Sequence, residues 1–107
     1  MKILDSLVEM VRVVHGLAVK VARHDRDLAQ QMKRASTSAA LNGSEGIWAK
    51  AGKRRSRLED AVNSARETLM ALRLARACGY LPAGEVAAAM RDVDSVIAVL
   101  WVLAYRR

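Results

Sequence analysis

Clustered cations are the side chains of this sequence best suited to a chemical role. Five of them fall within eight residues: Lys50, Lys53, Arg54, Arg55 and Arg57. Thirteen of the 18 cationic residues in the chain are arginine, whose planar guanidinium suits bidentate phosphate contacts better than the lysine ammonium does. The cluster therefore indicates a phosphate-binding surface, and a solvated basic connector between two helices is the alternative interpretation.

Three further arginines recur at helical spacing. Arg66, Arg73 and Arg76 are separated by seven and three residues, which places them along one side of a helix. We expect them to be secondary contributors to the same phosphate-binding surface.

The sequence lacks the residue patterns typical of an enzyme or a metal site. A carboxylate-bridged metal centre in a helical bundle needs Glu-x-x-His pairs, and the residue three before His15 is Arg12. His15 and His24 are therefore expected at a helix face and a helix end, and Cys78 as a buried, unreactive thiol. There is no glycine-rich phosphate loop. We expect no catalytic residues, no cofactor and no metal.

The composition favours an all-α fold built from small aliphatic residues. The chain has 107 residues, 52% of them hydrophobic, yet no Phe, six Gly and one Pro, which leaves little material for the turns of a β-protein. This length predicts one domain. A single cysteine excludes an internal disulfide framework. The longest apolar run, residues 96–105, has about half the length of a membrane span, and there is no signal peptide, so we expect a cytoplasmic protein without membrane contact.

Hydrophobic periodicity predicts four helices, at about residues 2–23, 27–48, 56–78 and 83–105. The stripe of the first helix includes Val8. Asp25 is a candidate N-cap of the second helix, residues 56–59 (SRLE) fit a capping box for the third, and Gly79 suits the position after its end. The small residues of 35–46, including two glycines, favour close helix packing over a ligand site. The predicted architecture is an up-down-up-down antiparallel four-helix bundle.

More apolar surface is present than four short helices can bury. The last third of the fourth helix is apolar nearly all round, and the third helix carries a second apolar stripe. We therefore predict a homo-oligomer. The candidate interface residues are Met70, Leu74, Val99, Trp101, Val102 and Tyr105.

A resemblance to a known family is carried by the stretch from Met32 to Gly46, QMKRASTSAALNGSEG with Gln31 included. This stretch resembles the "RRAAxSIPANIAEG" signature of the 23S rRNA intervening-sequence proteins, and ACGYL at 77–81 is similar to that family's "AxxxGYL" helix end. The matching signature residues are Arg34, Ala35, Ser38, Asn42, Glu45 and Gly46. Ala39 and Ala40 replace the usual Ile-Pro.

The resemblance implies a four-helix bundle that assembles as a ring-shaped homopentamer. It also implies kinship with the accessory variability protein of diversity-generating retroelements, a basic pentamer that binds nucleic acid and a reverse transcriptase. Asn42 and Glu45 would then be polar contacts between helices or caps.

Three functional hypotheses remain open. The first is a non-enzymatic oligomeric bundle that binds RNA or DNA, without sequence specificity, through its basic surface. The second is a protein-interaction module in which the apolar end of the fourth helix docks a partner, such as a reverse transcriptase. The third is a structural oligomer without a ligand.

Overall fold

Four α-helices make up almost the entire chain in the computed structural model, which describes residues 2–106. They are α1 (Lys2–Val21), α2 (Arg26–Trp48), α3 (Ala51–Ala77) and α4 (Ala83–Tyr105). Each helix packs on its neighbours in sequence, and α4 closes against α1. The Lys20 ammonium at the end of α1 lies 2.8 Å from the Glu85 carboxylate at the start of α4. The fold is an up-down-up-down antiparallel four-helix bundle of 43 × 22 × 20 Å, as predicted.

Aliphatic side chains from all four helices fill the core. The largest fully buried ones include Leu7, Met32, Leu58, Leu72 and Leu100. Alanines occupy many of the remaining core positions, which allows the helix axes to approach closely without aromatic rings. The scarcity of aromatic residues is therefore compatible with a continuous core.

Two predicted helix boundaries are confirmed by hydrogen bonds. The Asp25 carboxylate accepts a bond from the Leu28 N–H at 2.9 Å and caps α2. At the end of α3, Gly79 adopts the left-handed conformation with φ +74°. Its N–H donates to the Arg76 carbonyl at 3.0 Å, and the Tyr80 N–H donates to the Ala75 carbonyl at 2.9 Å. This pair of bonds is the Schellman motif, which satisfies carbonyls that the helix leaves free.

The predicted start of α3 is wrong. The helix begins at Ala51 rather than Ser56, so the capping box at 56–59 does not form and the cations of 50–57 belong to the first two turns of α3. A two-residue link suffices because Ala51 takes up the left-handed conformation, with φ +47°. Lys and Arg are good helix formers, so a cationic run extends a helix as readily as it interrupts one.

Two burial predictions are also wrong. Val8 is 68% exposed, and Met10 occupies the core in its place. The core face of α1 thus lies to one side of the predicted stripe, because α2 and α4 both pack against that side. Cys78 is exposed rather than buried, since it forms the C-cap of α3 at the end of the bundle.

The two glycines of the small-residue segment are packing positions, as predicted. A Cβ on Gly43 would lie 2.9 Å from Leu7 Cδ1, and one on Gly46 would lie 2.7 Å from Leu58 Cγ and 3.1 Å from the Leu58 backbone nitrogen. Their helix-propensity cost of about 1 kcal/mol each is therefore offset by the close approach of α1 and α3 to α2.

Candidate nucleic-acid interface

Cations occupy the N-terminal end of α3, where the helix itself disfavours them. Lys50 holds the N-cap position, Lys53 lies in the first turn, and that turn contains no acidic residue. Free N–H groups give a helix N-terminus a partial positive charge, so a cation there costs about 0.3–1 kcal/mol. A charge pattern that opposes local stability is characteristic of functional surfaces.

Two of the five clustered cations are engaged within the fold. Arg54 is half-buried, and its Nη1 donates to the Ile47 carbonyl at 2.9 Å, which satisfies a carbonyl in the last turn of α2. The Arg57 Nε lies 3.3 Å from a Glu45 carboxylate oxygen. The structure therefore gives Arg54 a structural role that the sequence did not indicate, and partly neutralises Arg57.

Three arginines form a straight row along the outer face of α3. Arg55, Arg66 and Arg73 are exposed and lie eleven and seven residues apart, three and two helical turns. At 1.5 Å per residue, the row spans about 27 Å. Arg76 is exposed at the C-terminal end of the helix. Among the described residues, Lys50, Lys53, Arg73 and Arg76 form no ion pair with a carboxylate.

Aromatic residues of α4 lie beside this row. The Arg66 Cζ is 5.8 Å from the Trp101 ring centroid, and the Arg55 Cζ is 4.7 Å from that of Tyr105. The two rings are 4.4 Å apart and tilted by 51°. We call Arg55, Glu59, Arg66, Trp101 and Tyr105 the arginine–aromatic cluster; each of its exposed cation–π contacts is worth about 0.5–1 kcal/mol.

Glu59 orients the tyrosine of the cluster. The Tyr105 hydroxyl donates to Glu59 Oε2 at 2.7 Å. This hydrogen bond, with a smaller contribution from burial, raises the pKa of Tyr105 above its ordinary value, although Arg55 and Arg66 oppose the shift. The hydrogen bond to Glu59 therefore fixes the position of the ring.

The six apolar candidates are all exposed but do not form one surface. Met70 and Leu74 border a groove between α2 and α3 that Leu28 and Ala35 also line. Val99 lines a larger groove, of about 520 Å³, between α1 and α4. Trp101 and Tyr105 belong to the arginine–aromatic cluster, and Val102, 59% exposed, lies one residue beyond Trp101 on α4. The sequence therefore identified exposed apolar side chains without showing that they divide among separate surfaces.

Other exposed apolar residues were missed. Val8, Leu41 and Trp48 are 68%, 61% and 71% exposed, more than any of the six candidates. Leu41 and Trp48 are seven residues apart and share the outer face of α2. That spacing is the sequence signal for Leu41 and Trp48, whereas Val8 falls within the predicted core stripe of α1.

The signature residues of α2 make polar contacts. The hydroxyls of Ser38 and Ser64 are 2.9 Å apart and join α2 to α3. Asn42 Nδ2 donates to the Ser38 carbonyl at 3.0 Å, within its own helix, and Glu45 faces Arg57 of α3. The expected contact between helices is thus observed for Glu45, whereas Asn42 acts through Ser38.

The histidines also have structural neighbours. His15 Nε2 lies 3.1 Å from the Thr37 hydroxyl and joins α1 to α2, and the His24 ring stacks on Tyr80 with centroids 5.1 Å apart. Within residues 2–106, no three His, Cys, Asp or Glu side chains gather in a way that could hold a metal ion. No helix in that range is long and apolar enough to cross a membrane.

Comparison with known proteins settles the family. The sequence model of the 23S rRNA-intervening sequence protein matches residues 1–101. The chain belongs to this family. A solved protein from Bacteroides thetaiotaomicron, described as a protein of unknown function from the S23 ribosomal protein family, superposes with a TM-score of 0.88. It is 19% identical, and the alignment covers 96% of this chain and 98% of that one. Among curated proteins, no relative matches. The family resemblance inferred from residues 31–46 is confirmed, and the structural neighbour supports the fold.

Proposed function

We propose that this protein is a non-enzymatic homo-oligomer that binds the phosphates of RNA or DNA through the cationic surface of α3. The six exposed cations that contribute are the row Arg55, Arg66 and Arg73, then Arg76 near its C-terminal end, and Lys50 and Lys53 at the N-terminal end of the helix. Arg54 and Arg57 contribute to the local field while holding α2 against α3.

The observation that carries the proposal is the placement of charge on one helix. Between Ala51 and Ala77, α3 has seven Lys and Arg residues and three Asp and Glu residues. Its ratio of acidic to cationic residues is the lowest of the four helices. Lys53 in the first turn opposes the helix dipole, so helix stability does not explain its presence. A bound polyanion would offset this unfavourable charge. Such binding is favoured because the counterions condensed on the phosphates are released when protein cations replace them.

Oligomerisation would multiply the positive charge that a nucleic acid meets. The net charge of one chain is +7, so a pentamer of the kind the family resemblance implies would carry about +35, enough to hold a polyanion without reading its sequence. Exposed apolar residues outside the arginine–aromatic cluster, such as Val99 and Val102, are available for the contacts between subunits.

A second candidate function is docking of a protein partner. Val8, Leu41 and Trp48 favour it, because exposed apolar side chains of this size commonly mark protein interfaces. A reverse transcriptase is the partner that kinship with the retroelement accessory protein would supply. Phosphate binding is preferred because it accounts for the charge of α3, which apolar docking does not.

A double charge reversal tests the proposal. Lys53→Glu with Arg73→Glu removes two cations from opposite ends of α3 without touching the Arg54 hydrogen bond. We expect weaker binding to a generic RNA in a mobility-shift titration and a loss of about 1.4–1.8 from the slope of log affinity against log salt.

The matched control is Arg23→Glu with Arg26→Glu, which makes the same change in net charge at the turn between α1 and α2. If both double variants weaken binding equally, net charge rather than the α3 surface is responsible. If neither variant changes affinity, the assignment of the surface to α3 is refuted.

A further inference from the structure

Exposed aromatic rings beside a row of arginines are suited to more than phosphate contact. Trp101 and Tyr105 of α4 are 46% and 38% exposed, and their rings contact the arginines of α3. We propose that the arginine–aromatic cluster binds an unpaired base of single-stranded RNA or DNA, stacked on Trp101, with the adjoining phosphates held by Arg66 and Arg55. This inference rests on the proposed function and restricts it to strands with accessible bases.

The contact of Arg66 with Trp101 leaves the ring available. At 5.8 Å from the ring centroid, the guanidinium lies near the outer limit of a cation–π contact. It is exposed and forms no ion pair with a carboxylate among residues 2–106. The arginine can therefore exchange the ring face for a phosphate when a base stacks on the indole.

Tyr105 forms a fixed wall of the same site. Its hydroxyl is bonded to Glu59, the ring is tilted by 51° to that of Trp101, and Arg55 covers one of its faces. A small cleft of about 90 Å³, lined also by Val62 and Asn63, adjoins both rings. Glu59 is the carboxylate of the site, and its charge is outweighed by the two guanidinium groups of Arg55 and Arg66 in the same cluster.

Base stacking distinguishes single strands from duplexes. Every base presents a flat face that can stack on an aromatic side chain, so such sites tolerate any sequence. In a duplex, those faces are already covered by neighbouring base pairs. Arg55 and Arg73 lie about 16.5 Å and 10.5 Å along α3 from Arg66, on either side of it, so one extended strand can run along the row while one base turns towards α4.

Two alanine variants of the full-length chain test this inference. Trp101→Ala removes the proposed stacking surface, and Trp48→Ala is the control because it removes an equally large exposed indole from α2. Affinities are measured by fluorescence anisotropy with mixed-sequence RNA and DNA strands of about 15 nucleotides, and with the duplexes of the same sequences. Comparing the RNA and DNA arms shows which strand is preferred.

For Trp101→Ala we expect a loss of about tenfold to hundredfold for single strands and no loss for duplexes. Trp48→Ala leaves both affinities unchanged, and Trp101→Phe, which keeps an aromatic face, retains most of the single-strand affinity. In a Trp48→Phe background Trp101 is the one tryptophan of the chain, and its fluorescence is quenched by a single strand but not by a duplex.

Three results would overturn the inference. If Trp101→Ala binds single strands as tightly as the wild type, base stacking is absent although phosphate binding stands. If it lowers both affinities equally and reduces the particle mass in light scattering, the cluster is a subunit contact. If the wild type binds no nucleic acid even at about 50 mM salt, the proposed function fails together with the inference.

Discussion

The unfavourable position of Lys53 predicts that stability and binding respond in opposite directions to one substitution. Lys53→Glu replaces a cation by an anion in the first turn of α3, where the helix N-terminus favours negative charge. The same exchange at Arg76, in the last turn of the same helix, replaces a favourable cation by an unfavourable anion. The two variants change the net charge by the same amount, but one places the new charge at the N-terminal end of the helix dipole and the other at its C-terminal end.

The magnitudes follow from these positions. Removing an unfavourable charge and adding a favourable one are each worth about 0.3–1 kcal/mol. A glutamate at 53 also gains Arg57 four residues later, about 0.2–0.5 kcal/mol. We therefore expect Lys53→Glu to stabilise the protein by about 1–2 kcal/mol. Arg76→Glu loses a favourable interaction with the helix dipole and adds an unfavourable one. Attraction between the new glutamate and Arg73 offsets part of this cost, so we expect a destabilisation of about 0.5–1.5 kcal/mol.

Thermal denaturation followed by circular dichroism measures both changes, since 1 kcal/mol moves the Tm of a domain of this size by about 4–8 °C. Both variants should bind RNA less tightly than the wild type. If Lys53→Glu lowers Tm, the lysine stabilises the helix and the unfavourable dipole interaction is absent. If Lys53→Glu raises Tm and leaves the affinity for RNA unchanged, Lys53 takes no part in RNA binding.

Two further predictions concern packing and ionisation. Gly46→Ala forces a methyl group against Leu58 and should destabilise the protein by about 1–3 kcal/mol. Gly16 has open space around it, so Gly16→Ala should stabilise the protein by up to about 1 kcal/mol. Equal changes in Tm for the two variants would contradict the packing role of Gly46. The hydrogen bond to Glu59 favours the neutral phenol of Tyr105, so its pKa is raised. The stability from this contact is complete below the unfolded-state pKa of about 10 and is lost as the pH rises through the folded value. Ultraviolet titration in a Tyr80→Phe background should show the pKa falling on Glu59→Ala, and an unchanged pKa would show that the hydrogen bond does not cause the shift.

The architecture was predictable because local signals agree with one another. Apolar spacing located four helices, and Asp25 and Gly79 marked two of their ends through side-chain and backbone hydrogen bonds that follow from residue type. The start of α3 was not predictable in this way. A left-handed alanine at position 51 shortens the link to two residues, and alanine carries no sequence signal for that conformation.

The candidate interface was predictable in composition and not in arrangement. Clustering identified the cations of 50–57, but periodicity within one helix could not show that Arg54 reaches back to the Ile47 carbonyl. Nor could it show that Arg66 and Trp101, assigned from sequence to two separate surfaces, lie together. Such contacts depend on the rotation of α3 against α2 and α4, which is set by packing of the whole core.

The salt dependence of nucleic-acid affinity is the sharpest test of phosphate binding by an oligomer of this chain. The wild-type chain is titrated with a generic RNA and a duplex DNA between about 50 and 200 mM salt, with light scattering on the same samples. Six phosphate contacts on α3 predict a loss of affinity of about 10³-fold over this range, by a particle several times the mass of one chain. A monomer, an affinity independent of salt, or no binding at the lowest salt concentration would contradict the account.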